Sequence, residues 1–258
     1  MKRFVSLFAV AILLFSLCSC GGKSDVKGAY ALPKGEGLRI TAFGDSIAAG
    51  YGLSSQDDNY LTVFANNIGA SLTNDAVSGF DSDDLVSLLS SGRADADIRN
   101  ADMVVLSIGG NDILHNRELI TSALKEAALK GGEYFTDDVN AVYDNFEANL
   151  IKIYNHIIAI NPDAAIIIQT LYNPALKQGY KISVIDASKL IDKYIVRLNE
   201  SIISVSAAFN RVVVFDVADE MNKDADNFYN LKTDFDIHPS KKGHQTLSEL
   251  FTDYYMKG

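Results

Sequence analysis

The sequence predicts an α/β fold: a three-layer α/β/α sandwich around a flavodoxin-like, five-stranded, mostly parallel sheet. Short continuous apolar runs such as Met103–Ile108 read as strands buried on both faces, which is the pattern of a parallel sheet. These runs alternate with longer segments whose apolar residues recur at helical spacing. Several of the runs end in glycine and small polar residues, and the carboxyl ends of strands are where open α/β sheets place their chemistry.

Taken in order, the chain opens with Lys2 and Arg3, an apolar stretch from Phe4 to Leu17, and then Cys18-Ser19-Cys20-Gly21-Gly22. A basic start, an apolar stretch of about 14 residues and a small-residue end are the marks of a secretory signal. The stretch is shorter than the roughly 20 residues a membrane span needs. Leu17-Cys18-Ser19-Cys20 resembles the bacterial lipobox, with cleavage before a lipidated Cys20; plain cleavage and release is the other reading. The resemblance implies an exported protein held by acyl chains on the outer face of a bacterial cell membrane, or on the outer membrane. Residues 1–19 are then a signal peptide, 20–36 a tether, and 37–258 the folded domain.

No cysteine follows Cys20, so the domain has neither a disulfide nor a cysteine-based zinc site and must be held by its core. About 220 residues suffice for one such core. The net charge is −10, and about −12 without Lys2 and Arg3, with no basic run, which argues against a nucleic-acid partner. The acidic stretches Asp81-Ser82-Asp83-Asp84 and Asp224-Ala225-Asp226 lack the pattern of a calcium loop, so neither a metal nor another cofactor is expected.

Within the domain, Leu38–Phe43 is the first expected strand, and it ends at Gly44-Asp45-Ser46. Ser46 there reads either as an activatable nucleophile or as the cap of the next helix. A helix is expected over 60–68, a strand over 70–77, and a helix over 81–89 capped by Asp81 or Ser82. Between the latter two, Ser78-Gly79 presents a backbone N–H unobstructed by a side chain. Met103–Ile108 leads into Gly109-Gly110-Asn111-Asp112, where Asn111 offers a neutral amide donor of the kind that suits a developing oxyanion, or a helix cap. Helices are expected over 112–130, 137–160 and 182–208, and strands over 164–169 and 211–217. The loop from Tyr172-Asn173-Pro174 is placed to line a cleft. A last helix starts near Ser240.

The chain has four histidines. His238 follows the last strand beside Pro239, which restricts its backbone and gives a general base a fixed perch. His115, after Asn111, is the rival base. His156 and His244 read as surface or packing residues.

The order Gly44-Asp45-Ser46, Ser78-Gly79, Gly109-Gly110-Asn111-Asp112, His238-Pro239 resembles the SGNH/GDSL hydrolase family, over nearly the whole chain after the tether. The likeness is greatest to secreted or lipid-anchored bacterial members of the lysophospholipase L1-like type. The resemblance implies a serine esterase with Ser46 as nucleophile and His238 as base. It also implies an oxyanion hole formed by the N–H groups of Ser46 and Gly79 and the amide of Asn111. Ile47 stands where the family motif has Leu. The position three before the histidine, where the family has its orienting aspartate, is Phe235. Asp236 is the favoured substitute, with Asp234 or a backbone carbonyl as alternatives. Lipid esters of the lysophospholipid type are the expected substrates. The alternatives are acetyl esters on cell-wall or dietary glycans, and a surface lipoprotein that binds ligands without turnover.

Overall fold

The computed structural model describes residues 30–177, 181–182, 185–186, 188–228 and 236–258. Cys20 and the segment expected to be a signal peptide lie outside the described residues, as do Asp234 and Phe235.

In chain order the elements are β1 (Arg39–Gly44), α1 (Ser46–Ala49), α2 (Tyr60–Asn67), β2 (Ser71–Asn74), α3 (Ser82–Ser90), α4 (Asp95–Asn100), β3 (Met103–Ser107), α5 (Gly110–His115), α6 (Arg117–Lys130) and α7 (Asp137–Ile160). They continue with β4 (Ala165–Gln169), β5 (Lys181–Ile182), β6 (Ile185–Asp186), α8 (Ser188–Ser206), β7 (Val212–Phe215), α9 (Ala218–Met221) and α10 (Lys241–Lys257). Five strands form one sheet in the order β2-β1-β3-β4-β7, all parallel; β5 and β6 make a separate antiparallel ribbon.

Alternation along the strands divides the core in two. Val104, Leu106, Ile166, Ile168, Val212 and Val214 face α3, α4, α6, α7 and α8. Met103, Val105, Ala165, Ile167, Val213 and Phe215 face α1, α2, α9 and α10. Both faces are covered, which is why the strands read as unbroken apolar runs. Chain direction across the sheet reverses between β1 and β3, and their carboxyl ends therefore flank a crevice that no crossover helix covers.

The 112–130 segment is two helices rather than one. It breaks at Asn116, whose side-chain amide donates to the Asp112 carbonyl at 2.8 Å, a local bond that competes with helix continuation. The helix expected from 182 begins only at Ser188, because the β5–β6 ribbon takes up its first residues. The strand expected over 70–77 ends at Asn74, although Asp75 and Val77 still donate backbone bonds to Ala42 and Gly44 at 2.9 Å. The short helix α4 had no periodicity of its own to announce it. His244 is fully buried against Tyr60, so its packing alternative holds and its surface alternative does not. His156 is half-buried and pairs with Asp95 at 3.1 Å. Among the described residues no helix is long and apolar enough to cross a membrane, and no group of three or more His, Cys, Asp or Glu is placed to hold a metal ion.

Candidate active site

Ser46 is the first residue of α1, two residues beyond the end of β1. The turn that delivers it needs Gly44, where φ is +154° and a Cβ would sit 2.2 Å from the Ser107 carbonyl oxygen of β3. Asp45 then caps α1 by accepting the Ile47 N–H at 2.9 Å. Burial pushes the Asp45 carboxyl up to about 7; the Ile47 N–H works against that shift, and the nearby Asp112 adds to it. The capping role that the sequence left open for Ser46 therefore belongs to Asp45, and the Ser46 hydroxyl is free for another partner.

That partner is His238, whose Nε2 lies 3.0 Å from Ser46 Oγ. On the other side of the ring, Nδ1 lies 2.6 Å from Asp236 Oδ1, and the same oxygen accepts the His238 backbone N–H at 3.0 Å. Ser46, His238 and Asp236 thus form one hydrogen-bonded chain across the carboxyl edge of the sheet.

The loop that carries His238 is pinned at both ends. Pro239 forms an antiparallel bridge with Phe228, and the Ser240 N–H donates to the Asn227 carbonyl at 2.8 Å. Ser240 also caps α10 by accepting the Gly243 N–H. The Tyr172 hydroxyl, from the end of β4, donates to the Ile237 carbonyl at 3.3 Å. Tyr172 is buried. It begins the loop expected to line a cleft, and its own hydroxyl braces the histidine loop.

Gly79 and Asn111 follow β2 and β3 at the same edge of the sheet. Gly79 has φ +90°, is exposed, and has nothing within 4 Å of where a Cβ would stand. The Val77 N–H bonded to Gly44 ties this loop to the end of β1, two residues from Ser46. One N–H of the Asn111 amide is donated to the Phe80 carbonyl at 2.7 Å, which leaves the other for a ligand. His115, the rival base, is half exposed and pairs with Asp81 at 2.9 Å; it is His238 that meets Ser46.

Tyr51 was not foreseen. Its ring lies 4.5 Å from that of His238, tilted by 39°, while 56% of the residue remains exposed. Its position immediately after the Ala-Ala-Gly end of the Ser46 segment was the only signal the sequence held.

A model of the GDSL-like lipase/acylhydrolase family matches residues 42–246. YpmR, an uncharacterised protein of Bacillus subtilis, is 28% identical over 184 residues, which is 67% of each chain. Among solved structures, the lipase Lip_vut3 from a goat rumen metagenome superposes with a TM-score of 0.65 at 21% identity, over 84% of this chain and 97% of its own. Axe2, an acetylxylan esterase from Geobacillus stearothermophilus, superposes with a TM-score of 0.57 at 18% identity, over 86% of this chain and 95% of its own. At such identities the two structures speak for the fold.

Proposed function

The chain belongs to the GDSL-like lipase/acylhydrolase family and is an ester hydrolase, and from that premise we propose that it cleaves lipid esters of the lysophospholipid type through an acyl-enzyme on Ser46. The observation that carries this reading is the unbroken chain from Ser46 Oγ through His238 to Asp236. His238 takes the serine proton as Oγ attacks the ester carbonyl. The N–H groups of Ser46 and Gly79 and the free N–H of the Asn111 amide receive the oxyanion. His238 then protonates the leaving alcohol, and afterwards draws a proton from the water that releases the acid. Asp236 holds the ring in the tautomer that leaves Nε2 free to accept.

Two exposed apolar side chains on the segments that carry the site favour a fatty acyl group. Tyr51 stands against His238, and Val77, 41% exposed, precedes the Gly79 turn. An envelope location through lipidation of Cys20 would put the enzyme at its substrate; the lipobox-like Leu17-Cys18-Ser19-Cys20 supports it. The second reading, an O-acetylesterase acting on glycans, draws on the likeness to an acetylxylan esterase.

The test is a chain-length series. The kcat/KM of residues 23–258 is measured on p-nitrophenyl esters from acetyl to palmitoyl, with Ser46→Ala as control. A maximum at long chains, lost in Ser46→Ala, is the expected result. A maximum at acetyl that collapses beyond it selects the glycan reading. Activity that survives Ser46→Ala removes Ser46 as nucleophile.

A further inference from the structure

Gly79 has no side chain with which to fix its own position, and nothing lies within 4 Å of where a Cβ would stand on its left-handed backbone. An N–H that stabilises a developing charge must nevertheless be held in place before the reaction. Before Gly79 the chain is held by the Val77 N–H bonded to the Gly44 carbonyl; after it, three residues are gripped by a single short helix. Three side chains of α5 reach three consecutive residues. Asn111 donates to the Phe80 carbonyl at 2.7 Å, His115 pairs with Asp81 at 2.9 Å, and Asp112 accepts both the Ser82 N–H, at 3.0 Å, and the Ser82 hydroxyl.

The Asp112 contact is the buried one. Ser82 is fully buried and Asp112 is 5% exposed, whereas His115 is half exposed. Ser82 is the first residue of α3, and its N–H is one that the helix cannot satisfy internally. Asp81 caps the same helix through the Asp84 N–H, so Asp112 supplies a partner that the capping box does not. Behind it, Asn149 of α7 donates to Ser82 Oγ at 2.9 Å and to Asp83 Oδ1 at 2.8 Å. The start of α3 is thereby fixed from both sides, three residues beyond Gly79.

We infer that Asp112 is a positioning residue for the oxyanion site, acting through Ser82 to hold the Gly79 N–H where the ester oxygen arrives. The inference rests on the proposed roles of Ser46 and Gly79. Asp112 touches no substrate; it sets the geometry of a donor that does. Misplacement of such a donor lowers the rate of the chemical step more than substrate binding.

The experiment compares wild type, Asp112→Asn, Ser82→Ala and Ser46→Ala on one p-nitrophenyl ester, with folding checked by circular dichroism at the assay temperature. Asp112→Asn keeps the shape but weakens the grip on the Ser82 hydroxyl, and Ser82→Ala removes that half of the contact. The expected result is a fall in kcat of about 10–100-fold in Asp112→Asn and a smaller one in Ser82→Ala, with KM within about two-fold. A merely structural anchor would lower the melting temperature and leave kcat of the folded enzyme unchanged. If kcat stays at the wild-type value in Asp112→Asn, the inference is overturned; if that variant fails to fold, Ser82→Ala decides in the same way. A loss confined to KM overturns it as well. Activity persisting in Ser46→Ala is a different failure, that of the underlying assignment.

Discussion

Asp236 and His238 are joined twice: one carboxylate oxygen of Asp236 lies 2.6 Å from the histidine Nδ1 and also accepts the histidine's own backbone N–H at 3.0 Å. A two-residue step makes this possible, since an aspartate side chain readily bonds the backbone two residues on. The ring and the backbone that carries it are therefore oriented by the same atom. Asp236→Ala should lower kcat by about 10²–10⁴-fold with little change in KM, because the oxyanion donors and substrate contacts remain. Asp234→Ala should stay within a few-fold of wild type. The reverse ranking in steady-state kinetics would transfer the orienting role to Asp234.

Asn111 carries the second prediction. Its amide holds the Phe80 carbonyl with one N–H and keeps the other for the substrate oxygen. Asn111→Ala should cost about 10²–10³-fold in kcat, the usual loss for one oxyanion donor. Asn111→Asp should be worse than alanine, since a carboxylate has no N–H and sets negative charge against negative charge. An aspartate variant more active than the alanine variant would mean that this side chain is structural rather than a donor.

Much of this site was legible because its parts are local. Gly44-Asp45-Ser46, Ser78-Gly79 and Gly109-Gly110-Asn111 each sit at the end of an apolar strand, and a parallel sheet brings such ends together whatever the helices do. His238 was legible from scarcity and from Pro239. The braces were not. Tyr172 reaches Ile237 across 65 residues and Asp112 reaches Ser82 across 30, and no periodicity encodes such pairings. Tyr51 was hidden for the same reason. The 112–130 helix was misjudged because Asn116 fits a helical spacing, while its side chain has a local bond that the spacing does not reveal.

Asp45 gives a prediction about pH. Its carboxyl sits near 7 in the folded protein because it is buried, against an ordinary value of 3.8. Between pH 8 and about 6.5 the native state therefore takes up a proton that the unfolded chain does not, and stability rises as pH falls. Asp112, raised by burial to about 6, extends the trend downwards. His244 opposes it at lower pH: burial lowers its value from 6.5 to about 4, so below about 6.5 the unfolded chain gains the proton instead. Asp45→Asn retains an oxygen for the Ile47 N–H and stays neutral throughout. Thermal melts from pH 8 to 6.5 should show wild type gaining stability and Asp45→Asn nearly flat. Parallel curves for the two proteins would contradict this account.

The same replacement at two glycines should have opposite consequences, and this separates steric need from backbone freedom. At Gly44 an added Cβ would stand 2.2 Å from the Ser107 carbonyl oxygen and 2.9 Å from its carbon, in the middle of the sheet, at φ +154°. Ser107 cannot retreat, because its carbonyl accepts the Asp45 N–H at 3.0 Å and its strand is paired on both sides. Overlap and strain together should cost about 2–5 kcal/mol, a large share of a domain's stability. At Gly79 the added Cβ meets nothing within 4 Å, so only the left-handed backbone is penalised, by about 1–2 kcal/mol. Gly79→Ala should therefore fold and melt a few degrees below wild type, yet lose activity because the displaced N–H no longer meets the oxyanion. Gly44→Ala should express poorly or melt far lower. Chemical denaturation of both variants beside wild type, with kcat measured on the folded Gly79→Ala protein, checks the pair; a stable Gly44→Ala would show that β1 and β3 can part at the point where Ser46 is presented.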